Sequence, residues 1–187
     1  SSQHIANWLH HGICNKDQVM EVMKKYEKQD DFKNVIVKPF KVKKKTISST
    51  FIRKKIRKGH IEEVNKLLNR NWSIKGKVIK GQKRGRKIGF PTCNLKLGSY
   101  AIPRLGVYAV KVKTNNTNNN GIANIGYRPT FNGQSLLLET NIFGINKNLY
   151  NKVITVGFKK FLRAEKKFKS FEYLKKQIKI DIKQAKK

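Results

Sequence analysis

Two hydrophobic rhythms divide this chain. From Asn15 to Lys28, the apolar positions Val19, Val22, Met23 and Tyr26 fall at the i, i+3, i+4, i+7 spacing of one helical face, with Asn15 as a cap and Asp17 in the first turn. After the polar "EKQDD", the run "NVIVKPF" predicts a short strand stopped by Pro39, because proline donates no ladder hydrogen bond. In "TISSTFIRKKIRKGHIEEVNKLLNRNW" the period is helical again. Ser48 or Ser49 can cap a helix carrying Ile52 and Ile56, Gly59 suits its C-terminal turn, and Ile61, Val64 and Leu68 mark a second helix.

Beyond Trp72 the period falls to two. "SIKGKVIKG", "TCNLKL", "GVYAVKV", "GIANIGY", "SLLLETNIF" and "KVITVGF" are short runs rich in β-branched and aromatic residues, separated by Gly, Pro, Asn or Ser turns, with "TNNTNNNG" as a hairpin tip. Six such runs without intervening helices predict an antiparallel sheet closed into a barrel, which removes its edges. A last helix follows, with Ser170 as cap, Glu172 in the first turn, and a stripe of Phe171, Leu174, Ile178 and Ile182 expected to pack on the barrel. The expected division is residues 1–70 as a small α/β segment with a helical linker and residues 71–187 as the barrel.

Composition changes this picture in one respect. The chain of 187 residues carries a formal net charge of +32, and a basic excess normally points to an anionic partner such as nucleic acid. Only eight of its 43 basic residues are arginines, and the lysines are spread along the whole chain rather than gathered in one block. That pattern suits compositional drift better than a reading surface for phosphates and bases. Two distant cysteines, Cys14 and Cys93, show neither disulfide nor zinc spacing, and no apolar run reaches the roughly 18 residues of a membrane span. A cytoplasmic protein without a membrane or dedicated nucleic-acid partner is expected.

The candidate chemistry lies in "GQKRGRKIGFPTCN", residues 81 to 94. Gly81, Gly85 and Gly89 surround Lys83, Arg84, Arg86 and Lys87; a backbone without Cβ can approach phosphates closely while cations offset their charge. The same residues would also make an ordinary basic hairpin loop. No G-x-x-x-x-G-K-[ST] or G-x-G-x-x-G occurs, so no P-loop or Rossmann turn is present. Pro91 extends the residue before it, and the period of two then puts Thr92 and Asn94 on one face, with Cys93 opposite as a small buried residue. A hydroxyl and an amide oxygen are hard ligands of the kind Mg²⁺ accepts, though such a pair also makes local hydrogen bonds at strand starts. Glu139 stands out within "SLLLETNIF", sharing a face with Leu137, Asn141 and Phe143. A carboxylate there is either paired, with lysine the most available partner, or a general base whose proton affinity is raised by partial burial.

Taken in order, "GKVIKGQKRGRKIGFPTCNL", "PRLGVYAVKV", "ANIGYRPTF", "LLLETNIF", "LYNKVITVGFKKFLRAEKKF" and "FEYLKKQIKIDIKQA" resemble the riboflavin kinase module of prokaryotic bifunctional riboflavin kinase/FMN adenylyltransferases over residues 72 to 187. Upstream, "VKPFKVKKKTISSTFIRKKIRKGHIEEVNKLLNRNWSIKG" resembles the end of the adenylyltransferase module, with Ser49, Thr50 and Arg53 keeping the pattern and Phe51 replacing a usual Arg. The resemblance implies a Greek-key barrel with a C-terminal helix, preceded by a small α/β remnant of a nucleotidyltransferase module. It implies transfer of the ATP γ-phosphate to the 5′-hydroxyl of riboflavin, with Thr92 and Asn94 holding Mg²⁺ and the loop of Gly81, Lys83, Gly85, Arg86 and Gly89 over the phosphates. It makes Glu139 the base and places the flavin by Arg163 and Phe168. Asn141 stands where the family often has His, and Gly144 and Ile145 where it often has "DF". The adenylyltransferase's paired histidines are not reproduced by His10 and His11, so FAD synthesis is expected only of a longer parent chain. A catalytically inactive flavin-binding fragment and an RNA-binding barrel are the alternatives.

Overall fold

A computed structural model of the protein describes residues 20–21, 23–25, 27, 41–42, 45–81, 84–115, 117–130, 133–145 and 147–187. The chain divides into two compact units, Ser1–Thr46 and Ile47–Lys187. In the first, the described residues between 20 and 27 are helical, as the apolar period predicts, and β1 (Lys41–Val42) pairs with β2 (Lys45–Thr46). The strand expected over "NVIVKPF" lies outside the described residues.

The second unit opens with α1 (Ser49–Arg57) and α2 (Ile61–Leu68). Ser48 settles the choice of cap: its hydroxyl accepts from the Phe51 N–H at 3.2 Å. Gly59 sits just past α1 at φ +79°, a conformation that an L side chain rarely adopts. Ile52, Ile56, Ile61 and Val64 are buried in the same core as the strands that follow, so packing makes these helices part of the barrel unit. Asn65 fastens the joint. Its Nδ2 donates to the Phe158 carbonyl and its Oδ1 accepts from the Trp72 N–H, both at 2.8 Å.

The strands are β3 (Ser73–Lys77), β4 (Cys93–Lys96), β5 (Gly106–Lys113), β6 (Asn118–Thr130), β7 (Gly133–Ile142) and β8 (Val153–Arg163), all antiparallel, in the order β3-β8-β5-β6-β7-β4. β5, β6 and β7 follow one another as hairpins and β8 returns beside β5, which is the Greek-key arrangement. The outer strands approach each other through a bridge between Ile79 and Asn94, so the sheet is a nearly closed barrel. Ile74, Leu95, Val110, Ile125, Leu138, Ile154 and Phe158 fill it. Tyr108 stacks edge-on against Phe158 and Phe161 and donates its hydroxyl to the Arg104 carbonyl. Burial pushes that phenol well above its ordinary range.

Two departures from the sequence pattern are informative. Asn118–Asn120 are not part of the hairpin tip; they pair with Lys111–Lys113, because the ladder satisfies their backbone whatever the side chain prefers. And in α4 (Phe171–Ala185) the stripe that packs on Val107, Ala109 and Ile122 runs through Ile178, Ile182 and Ala185, while Phe171 is 64% exposed. Asp181 lies on that inner face, 1% exposed, where it takes the guanidinium of Arg163. Ser170 occupies the N-cap position of α4, but its hydroxyl bonds the Glu172 carboxylate, which holds that exposed group below the usual carboxylate range. Among the described residues no helix is long and apolar enough to cross a membrane.

Candidate functional site

The pairing register assembles a polar row that the linear sequence does not display. Glu139 on β7 stands opposite Asn94 on β4 and opposite Asn124 on β6. Directly opposed residues of antiparallel strands share a face with their Cβ atoms about 5 Å apart. The carboxylate is therefore bracketed by two amides, and its environment is set by these cross-strand neighbours rather than by the leucines beside it in the chain. The Oδ1 atoms of both asparagines are buried and, among the described residues, without a hydrogen-bond partner.

Glu139 is paired, and its partner is an arginine rather than the expected lysine. Arg128 donates to Oε2 from Nε at 2.9 Å and from Nη2 at 2.7 Å. The same guanidinium donates from Nη1 to Glu165 Oε1 at 3.2 Å and to the Tyr127 carbonyl. Its own affinity for the proton is raised by these carboxylates against the opposing effect of burial. Oε1 of Glu139 has no protein hydrogen bond among the described residues. The half-buried carboxylate thus keeps one oxygen restrained and one available.

On the β4 side the glycine loop closes over Asn94. A Cβ on Gly81 would lie 2.0 Å from Asn94 Nδ2, so any other residue there would have to displace the Asn94 amide. A Cβ on Gly85 would lie 2.4 Å from the Phe90 carbonyl and 3.4 Å from Thr92 Cγ2, which packs the loop against the threonine. The segment is not all loop, because Arg84–Lys87 form the short helix α3, ended by Gly89 at φ +86°. Lys83 lies outside the described residues. Arg86 and Thr92 line a small pocket with Pro91, Cys93, Lys147 and Tyr150, so Lys147 brings a second cation from a distant part of the chain. Cys93 is half-buried, and burial pushes its thiol up, which argues against a nucleophile.

Asn141 Nδ2 donates to the Pro91 carbonyl at 2.7 Å and so ties β7 to the residue before Thr92. Gly144 takes φ +72° in the turn after β7, a conformation open to glycine. Gly81, Gly85, Thr92, Asn94 and Glu139 therefore come together.

Arg163 lies elsewhere in the bonding scheme. Its Nε and Nη2 bind Asp181 at 2.8 to 3.1 Å, its Nη1 donates to the Ala164 carbonyl at 3.0 Å, and its guanidinium stands 5.8 Å from the Phe168 ring. It fastens α4 and the segment bearing Phe168 to β8. Ser49, Thr50 and Arg53 lie exposed on α1. Among the described residues no cluster of three His, Cys, Asp or Glu side chains forms a ready-made metal cage. The free Asn94 oxygen, with Thr92 nearby, instead fits a hard cation that keeps water and phosphate ligands.

Fold and site together define a Greek-key barrel with an oxygen-rich, cation-flanked site where the glycine loop meets the sheet. The chain belongs to the riboflavin kinase family, whose model matches residues 68–187. It is 43% identical over 145 residues to the bifunctional riboflavin kinase/FMN adenylyltransferase of Bacillus subtilis (strain 168), covering 75% of this chain and 46% of that one. It is 41% identical over 172 residues to the protein of the same name from Buchnera aphidicola subsp. Schizaphis graminum, covering 90% of this chain and 55% of that one. A crystal structure described as a macrolide-efflux protein from Streptococcus pneumoniae superposes with a TM-score of 0.75 at 34% identity, covering 87% of this chain and 54% of that one. The chain thus spans about half the length of the curated relatives it matches. Riboflavin kinases as a family use ATP, riboflavin and a divalent metal in general.

Proposed function

We propose that this chain is an ATP-dependent riboflavin kinase that uses Mg²⁺ and makes FMN. The observation that carries the reading is Glu139 beside an Asn94 oxygen that has no partner among the described residues, with the Gly81 backbone resting on the same amide. Thr92 and Asn94 would hold Mg²⁺, which when bound neutralises charge on the transferred phosphoryl group. Gly81, Gly85, Arg86 and Gly89 would cradle the ATP phosphates. Glu139 takes the proton of the 5′-hydroxyl through Oε1 as the 5′-oxygen bonds to the γ-phosphorus; the bond from that phosphorus to the bridging oxygen breaks and ADP leaves. Arg128 keeps the carboxylate oriented. Phe168 supplies a face for the flavin ring, held in place by Arg163, whose own donors are engaged by Asp181 and Ala164.

Adenylyl transfer to FMN belongs, on this reading, to a longer parent chain in which Ser49, Thr50 and Arg53 continue a nucleotidyltransferase module. Incubation of the 187-residue chain with riboflavin, ATP and Mg²⁺, followed by chromatographic separation of the flavins, tests both parts. FMN without FAD is the expected product. Absence of FMN from a folded, riboflavin-binding chain would make it an inactive flavin-binding barrel instead.

A further inference from the structure

The proposed reaction assigns nothing to Asn124, the third member of the polar row. Its Nδ2 donates to Glu165 Oε1 at 3.0 Å, which fixes which end of the amide is left to accept. Glu165 is held in turn by Arg128 and lies against Gly126, where a Cβ would fall 2.0 Å from the same carboxylate oxygen. The result is a buried Oδ1 acceptor, beside Glu139, with no donor among the described residues. A buried acceptor left without a donor is costly, so its position has chemical meaning.

Two kinds of group could satisfy it. A metal ion suits Asn94, which faces the glycine loop and Thr92. On the Asn124 side the amide is bonded to Glu165, and Glu165 and Glu139 share the Arg128 guanidinium, so both neighbouring carboxylates are already engaged by a cation that repels another. A neutral hydroxyl donor fits. The hydroxyl that reacts gives its proton to Glu139, so the donor to Asn124 must be a different hydroxyl of the same substrate.

We infer that Asn124 Oδ1 accepts a hydrogen bond from the polyol hydroxyl adjacent to the one phosphorylated, and is a specificity-determining residue for the sugar-alcohol chain of the substrate. This rests on the riboflavin kinase reading. Glu165 and Gly126 act through it, as the parts that hold the amide in its accepting orientation.

Quenching of flavin fluorescence on titration with the whole chain, in ADP and Mg²⁺, tests the assignment without turnover. Riboflavin and an analogue lacking the 4′-hydroxyl are compared on the wild type, Asn124→Ala and the bulkier Asn124→Leu. The wild type should prefer riboflavin by roughly tenfold, the scale of one hydrogen bond, and both variants should bind the two flavins alike. A merely structural role would weaken both ligands together and leave the preference intact. Equal binding of the two flavins by the wild type, or a preference retained in a folded variant, overturns the assignment while the kinase reading stands. A folded wild type that binds neither flavin overturns both.

Discussion

Glu139 keeps one carboxylate oxygen bound by Arg128 and the other without a partner among the described residues, and this division predicts how its replacements behave. Glu139→Gln preserves shape but removes the base, so FMN formation should fall by about 10²- to 10⁴-fold with flavin binding retained. Full activity in that variant would remove Glu139 from the chemistry. Gly126→Ala separates function from stability in another way. The new Cβ would displace the Glu165 carboxylate, the movable end of a side chain, while the strand backbone accepts alanine. The melting temperature should stay within about 2 °C of wild type, and riboflavin affinity should drop because Asn124 loses its tether. Glu139 stands out in the sequence because it breaks an apolar run. Asn124 and Arg128 were not legible as its neighbours, since only the β6–β7 register brings residues 11 and 15 positions away onto one face.

At the scale of elements, α4 is fastened by a charge pair rather than by apolar contact alone. Asp181 is 1% exposed and its Arg163 partner 22%, and Gln177 adds a third donor at 2.9 Å. Removing one partner leaves the other uncompensated, so Asp181→Ala should cost about 3 kcal/mol in urea denaturation. Replacing both, as Arg163→Met with Asp181→Leu, should cost less than the single change. The sequence showed a helix here and put Ile178 and Ile182 on its apolar stripe, as the structure does, but a periodicity reading scores aspartate as solvent-facing and so did not carry the inner face through Asp181 to Ala185. The six strands were legible because period two and turn residues are local signals. The short helix α3 was not, since four residues that include Gly85 carry too little pattern to separate a helical turn from a loop.

For the whole molecule, the charge of +32 and the local pairing tell different stories. Arg128 and Arg163 are bound to carboxylates, leaving them no open donor fork for bases, while exposed lysines recur along the barrel and α4. Binding to RNA should therefore be indifferent to sequence and should weaken by about 10³-fold or more between 50 and 200 mM salt in a filter-binding titration. Affinity that survives the added salt and discriminates between sequences would establish an RNA-reading role instead.

The outer strands of the nearly closed barrel meet at the Ile79–Asn94 bridge, in which the Ile79 N–H donates to the Asn94 carbonyl at 2.9 Å. Because Asn94 also presents its side chain to the candidate cation and phosphate site, anything bound there rests on the seam of the sheet. The enzyme would then be zipped shut by its own nucleotide. The Ile79 amide should exchange with deuterium faster in the empty protein than when ADP and Mg²⁺ are present, making closure of the fold a direct report of occupancy.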